Sequence, residues 1–183
     1  DYMLPVIAEA IGTLMGERDT DHRVFHYLPF CFAGSRMVLW MCLHRANPIT
    51  VSTDLNNLAT EFKTAKPNYF LNVPALLERI KGGVEGAIRQ KPKLVQVLYD
   101  RGRQAFSAAN QGEQGLLDRV MLAISKRVVF EKIRKQIGVD LECLICGSAP
   151  LSSETQRWFE MLGIPVYQVY GLTETTAIVT MDK

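Results

Sequence analysis

With 183 residues, 48% of them hydrophobic and 22% charged, the chain is long enough to bury a core in one domain or two lobes, and its composition excludes a disordered or fibrous protein. A formal net charge of +2, with bases scattered among acids, excludes nucleic acid as an expected partner. The longest apolar stretch, Met37 to Leu43, falls far short of the roughly 20 residues that span a bilayer, so no transmembrane segment is expected.

From the amino end, residues 3 to 16 are apolar enough for a helix, with Pro5 near its first turn and Gly16 as its stop. Arg23 to Pro29 predicts a short strand and Ala33 to Leu43 a helix with a largely apolar surface, both mostly buried. The β-branched run Pro48 to Val51 predicts a strand, Asp54 the cap of a helix reaching about Thr64, and Asn68 to Val73 another strand. A helix from Pro74 to Gln90 begins on proline and is loosened by Gly82, Gly83 and Gly86. Residues 92–137 read as a helical hairpin joined at Ala109 to Gly112. In its second arm Leu116, Val120, Ile124, Val128, Phe130 and Ile133 recur near helical spacing among Arg and Lys. That pattern predicts a core-packed helix with a solvated basic face; a membrane-surface or partner-binding face is the alternative.

Beyond Gly138 the pattern becomes strand (Val139 to Cys146), turn (Gly147 to Pro150), helix (Ser152 to Leu162), strand (Val166 to Val169) and a second turn at Gly171. This alternation predicts an α/β fold with a partly parallel sheet flanked by helices, whose ligand sites lie beyond the carboxyl ends of strands. Both glycine turns fall at such ends. Cys31, Cys42, Cys143 and Cys146 all have apolar neighbours, as expected of buried free thiols in a reducing, cytoplasmic setting. Cys143 and Cys146 make a CxxC that could serve a zinc or redox site, but no second ligand pair follows and their strand-like surroundings favour a core position. The chain opens on Asp1 without a signal-peptide pattern, which reads as a cut inside a longer protein.

The chemistry concentrates in the two turns. Gly147, Ser148, Ala149 and Pro150 put small residues at a strand end, where a flat ligand can reach backbone amides and carbonyls; a purely structural turn leading to a helix cap at Ser152 is the alternative. In the second turn Tyr170 can present a ring to a base and Gly171 permits close approach. Thr173 offers a hydroxyl to a phosphoryl oxygen, and Glu174 a hard oxygen to magnesium.

At these two places the sequence resembles the adenylate-forming superfamily, whose members activate carboxylates with ATP. The Tyr-Gly-x-Thr-Glu motif at Tyr170 to Glu174 is specific, and Gly-Ser-Ala-Pro-Leu at Gly147 to Leu151 is its expected companion. Tyr27 to Phe30 looks like the family's Leu-Pro element, and Lys66 to Ile80 like its Val-Pro and Leu-Glu region, so the resemblance covers almost the whole chain. It implies that Gly147 to Pro150 lie against adenine, Tyr170 packs on the base beside Gly171, Thr173 contacts phosphate and Glu174 helps hold Mg2+, with Thr173 and Glu174 in catalytic roles. A helical insertion at about 86–137 resembles that of long-chain fatty acyl-CoA synthetases, implying a fatty acid, ATP and coenzyme A as ligands.

The chain departs from the family in two places. Where many relatives carry a His after Leu-Pro it has Phe32, with Arg36 four residues later as in the long-chain group; His22, His26 and His44 read as local polar or packing residues. Val169 stands where the family often has Gly, on the path between acyl group and nucleotide, so Phe32, Arg36 and Val169 are the implied acyl-site residues. The family's Ser/Thr/Gly-rich phosphate loop ending in Lys is not in the sequence, and neither is its C-terminal lid domain. The expectation is therefore part of the AMP-binding domain of a long-chain fatty acid–CoA ligase, cytoplasmic and with scope for peripheral membrane contact. A non-catalytic acyl or nucleotide-binding module, or a ligase for another carboxylic acid, is the alternative.

Overall fold

The computed structural model describes residues 3–14, 22–175 and 178–181, which fall into two compact units; Gly16, the expected helix stop, lies outside the described residues. One unit carries a six-stranded sheet: β1 (Val24–His26), β2 (Ile49–Val51), β3 (Tyr69–Asn72), β4 (Leu144–Cys146), β5 (Val166–Tyr170) and β6 (Thr180–Met181). In the order β2-β1-β3-β4-β5-β6, all neighbours run parallel except β5 and β6. The expected α/β fold is present.

Short strands suffice here because β1, β3 and β4 are buried throughout, and a strand covered on both faces is specified by a brief apolar run. On one face Val24, Tyr69, Leu71, Cys143 and Ile145 pack with Ile7 of α1 (Met3–Leu14) and Met37, Val38, Met41 and Cys42 of α2 (Ala33–His44). On the other face Phe25 and Phe70 meet Phe62 of α3 (Leu58–Ala65) at ring distances of 5.3 and 4.9 Å. Only half of α2 is buried, since Trp40 and Leu43 are 55% and 63% exposed, against the expectation of a mostly buried helix. The helix ends where Ala46 turns to φ 54° and the Asn47 N–H reaches back 2.8 Å to the Cys42 carbonyl.

At the amino ends of the strands Asn68 ties three segments together. Its side-chain oxygen accepts from Arg23 N (2.9 Å), its amide nitrogen donates to the Asp140 carbonyl (3.3 Å), and its own carbonyl accepts from Glu142 N (2.7 Å). Arg23 adds an ion pair to Asp140 at 2.8 Å. This edge fixes where the strands begin and leaves their carboxyl ends for other work.

The second unit, Ala75–Val139 with Ser152–Ile164, is helical. It contains nearly all of α4 (Pro74–Arg89), then α5 (Lys93–Gln111), α6 (Leu116–Ser125), a π-turn (Lys126–Phe130), α7 (Glu131–Ile137) and α8 (Ser153–Met161). The helix α4 continues through Gly82, Gly83 and Gly86, and α5 and α6 form the expected hairpin, with Gly112 in the left-handed conformation (φ 76°) that ends α5. Trp158 Nε1 donates to Tyr99 Oη at 2.6 Å, and Lys81 pairs with Glu154 at 2.7 Å.

Four further sequence expectations need correction. Asp54 does not cap α3: its carboxylate accepts from Asn56 N and Asn57 Nδ2, and the helix starts later, at Leu58. The strand expected over Val139 to Cys146 is confined to Leu144–Cys146. Cys31 is exposed, whereas Cys42, Cys143 and Cys146 are buried, all four outside any disulfide, and burial alone pushes Cys42, and chiefly pushes Cys143, up to about 12. Finally, the stripe expected to pack into the core is divided: Phe130 and Ile133 are buried, but Leu116, Val120, Ile124 and Val128 are exposed. Among the described residues no helix is long and apolar enough to cross a membrane.

Candidate functional site

The carboxyl ends of β3, β4 and β5 lie side by side, with Asn72 in register with Cys146 and Cys146 with Gln168. Gly147 leaves β4 there, its N–H donating to the Asn72 carbonyl at 3.0 Å. A Cβ on Gly147 would stand 2.8 Å from Val169 Cγ2, so only glycine lets the turn lie this close to β5. Ser148 then adopts φ 73°, a conformation uncommon outside glycine, and Ser148, Ala149 and Pro150 form an exposed shelf of small residues. Leu151 turns back into the core, and its N–H donates to Gln168 Oε1 at 2.9 Å. The first glycine turn is thereby fastened to β3 at Gly147 and to β5 at Leu151.

β5 ends at Tyr170, which is 63% exposed and offers a ring face to solvent. Gly171 and Leu172 lead into a 3-10 turn, Thr173–Thr175, that contains both Thr173 and Glu174. Thr175, which sequence reading did not single out, holds this turn: its Oγ1 accepts from Leu172 N (2.9 Å) and donates to the Leu172 carbonyl (3.0 Å). The signal for it was a hydroxyl three residues after Leu172 and five after the end of β5, a local pattern that competes with regular structure. The chain then returns as β6, where Val179 N donates to the Tyr170 carbonyl at 2.8 Å. Glu174 is exposed, and among the described residues no group of three or more His, Cys, Asp or Glu could hold a metal. A lone carboxylate fits magnesium where phosphate and water oxygens complete the shell.

Phe32, the residue before α2, and Arg36, in its first turn, are both exposed; Phe32 is extended (φ −74°, ψ 136°) and its N–H donates to the Pro29 carbonyl at 3.2 Å. One turn of α2 is joined to the sheet through Gly34, whose absent Cβ would lie 3.2 Å from Leu71 Cδ2. Leu71 Cδ1 is in turn 4.0 Å from the position a Gly147 Cβ would take. Gly34, Leu71, Gly147 and Val169 thus make a continuous line from the segment bearing Phe32 and Arg36 to the two glycine turns. Leu71 is the link that sequence reading missed, because an apolar strand residue carries no sign of which neighbours it touches.

Two polar rings, His26 and Tyr27, come from the end of β1 and the residue after it. Burial pushes the Tyr27 phenol up to about 12, opposed by the Val73 backbone, and its ring meets Phe70 edge-on at 6.4 Å. His26 is fully buried with its ring 4.9 Å from Phe30, and burial holds its imidazole below the usual histidine value. It packs in the core; His22 is also buried, and His44 is exposed.

The sequence and fold agree with one family of known proteins. The AMP-binding enzyme model matches residues 5–183. The chain is 24% identical to long-chain-fatty-acid–CoA ligase FadD15 of Mycobacterium bovis over 88% of its own length and 27% of that protein. It is 29% identical to fatty acyl-CoA synthetase B of Dictyostelium discoideum over 90% of its own length and 24% of that protein. It therefore spans about a quarter of these relatives. Among solved structures, o-succinylbenzoate CoA synthetase (MenE) of Bacillus subtilis aligns with TM-score 0.57 and 12% identity over 97% of this chain and 27% of that one, a likeness of fold. Matched along nearly its whole length by the family model, the chain belongs to the AMP-binding family of adenylate-forming enzymes.

Proposed function

We propose that these residues form the nucleotide-facing and acyl-facing wall of an ATP-dependent fatty acid–CoA ligase, acting as one part of a longer enzyme. The observation that carries the reading is the contact of Gly147 with Val169, which draws the two glycine turns into a single surface beyond the carboxyl ends of β4 and β5. The names of the relatives, fatty acid–CoA ligases from a bacterium and an amoeba, support the acid and thiol partners.

In this reading adenine lies along Gly147, Ser148, Ala149 and Pro150 with the Tyr170 ring on it, Gly171 allows the approach, and Thr173 contacts phosphate. Glu174 would hold magnesium, which when bound neutralises charge on the phosphates. A carboxylate oxygen bonds to the ATP α-phosphorus as the bond to the bridging β-phosphate oxygen breaks, releasing pyrophosphate. The coenzyme A sulfur then bonds to the acyl carbon, AMP leaves, and the thiol proton passes to solvent. Phe32, Arg36 and Val169 bound the acyl group, with the branched Val169 narrowing its path. The triphosphate also needs preorganised positive charge, and no Ser/Thr/Gly-rich loop ending in Lys is among these 183 residues. In this reading such groups, like the lid, are supplied by other segments of the parent enzyme.

The test is Glu174→Gln in the longer protein, assayed by pyrophosphate release with a panel of fatty, aryl and amino acids. Turnover should fall at least about tenfold with fatty-acid binding unchanged, and the purified 183 residues alone should make no acyl-CoA. Undiminished turnover overturns the metal role of Glu174. Preference for an aryl or amino acid overturns the fatty-acid assignment.

A further inference from the structure

On the outer side of α6 and the following π-turn, Leu116, Val120, Ile124 and Val128 stand at four-residue intervals and are exposed, with Leu117 beside them; Leu116 and Leu117 are 80% and 82% accessible. The opposite side carries the packing: Leu122, Ser125, Val129, Phe130 and Ile133 are buried within the helical unit. Four-residue spacing drifts around an ordinary helix. Here the Glu131 N–H bonds back to the Lys126 carbonyl, and this wider π-turn offsets the drift between Ile124 and Val128. The result is a second apolar face on a helix whose first apolar face is already used.

Its charge is equally one-sided. Residues 116–137 contain six bases (Arg119, Lys126, Arg127, Lys132, Arg134, Lys135) and two acids (Asp118, Glu131), a net of +4 against +2 for the whole chain. Arg119, Lys126, Arg127, Lys132 and Lys135 are exposed, and the Asp118 carboxylate is engaged by the Gly115 N–H at 3.1 Å. Exposed Leu116, Leu117, Val120, Ile124 and Val128, with Arg119, Lys126 and Arg127 interspersed among them, match the interfacial region of an anionic bilayer, where acyl chains accept the apolar residues and phosphates the basic ones. A second copy of the chain would bring the same positive charge to the contact and be repelled. We propose that the α6 face, with its π-turn, is a docking surface for anionic lipid bilayers. The inference uses none of the residues assigned to adenylation.

The experiment is flotation of the 183-residue protein with phosphatidylcholine vesicles containing about one third phosphatidylglycerol, against pure phosphatidylcholine. Capture should require the anionic lipid and fall with added salt. Leu116→Asn with Leu117→Asn should lower the bound fraction about tenfold or more, and so should Lys126→Glu with Arg127→Glu. Circular dichroism melts should match the parent protein's, as expected for residues this exposed; if the leucine pair misfolds, the charge-reversal pair carries the test. Capture that persists in the variants, or that is equal on neutral vesicles, overturns the proposal. So does a concentration-dependent dimer in sedimentation that the leucine pair abolishes, with no vesicle capture; that result assigns the face to a second copy. Because the readout is vesicle capture, its failure is separable from any failure of the ligase reading.

Discussion

At Gly147 the space that a methyl group would need is occupied by Val169 Cγ2, 2.8 Å from the ideal Cβ position. A β-branched strand residue has little rotamer freedom with which to yield, so Gly147→Ala should cost about 1–3 kcal/mol. Shortening the neighbour in Val169→Ala should recover much of that cost. Urea denaturation of the two single variants and the double variant measures the coupling, and additive effects would show that the two residues do not touch. The motif around Gly147 was visible in the sequence, but the reason for its glycine was not, because Val169 lies on a different strand. Thr175 escaped notice for the opposite reason: its bonds to Leu172 are local, but nothing in a lone threonine distinguishes a turn-closing hydroxyl from a solvated one.

Between elements, the helical hairpin packs tightly at Gly102 of α5. A Cβ there would collide with Ser125 Cβ and lie 2.6 Å from Ser125 Oγ and 2.7 Å from Phe130 Cζ, while Ser125 Oγ donates to the Leu98 carbonyl at 2.8 Å. Gly102→Ala should therefore destabilise the protein by about 1–3 kcal/mol despite alanine's better helix propensity. A stability equal to or above that of the parent protein in chemical denaturation would contradict the close packing. Helical periodicity located this arm correctly, yet it misassigned the face, since Leu116, Val120, Ile124 and Val128 share a side that α5 does not cover. Period identifies which residues align; which of two apolar sides is buried depends on small residues such as Gly102 and Ala105 on the facing helix. Strand lengths were overread for a related reason. The apolar run before Cys146 continues beyond the pairing, because Glu142 and Cys143 direct their N–H groups to the Asn68 carbonyl before the ladder begins. The short β6 lies beyond the motif without a turn signature, and it went unread.

For the molecule as a whole, β1, β2 and β3 arise close together in sequence, but β3 pairs Leu71 with Ile145 across the entire run from α4 to α7. That pairing has a kinetic meaning. Closing a long, unstructured loop is entropically unfavourable, and contacts distant in sequence form late. The hairpin of α5 and α6, extended by the ring contact of Tyr99 with Phe130 of the following π-turn at 6.2 Å, is local enough to form first and to shorten the loop that remains. In pulsed hydrogen exchange during refolding, amides of Lys93–Ser125 should gain protection before those of Leu144–Cys146; simultaneous protection would refute this order. The same reasoning gives the glycine at position 102 a role in time as well as in stability. By loosening the hairpin, Gly102→Ala should depress the folding arm of the chevron, delaying closure of a sheet that contains neither Gly102 nor the residues it touches.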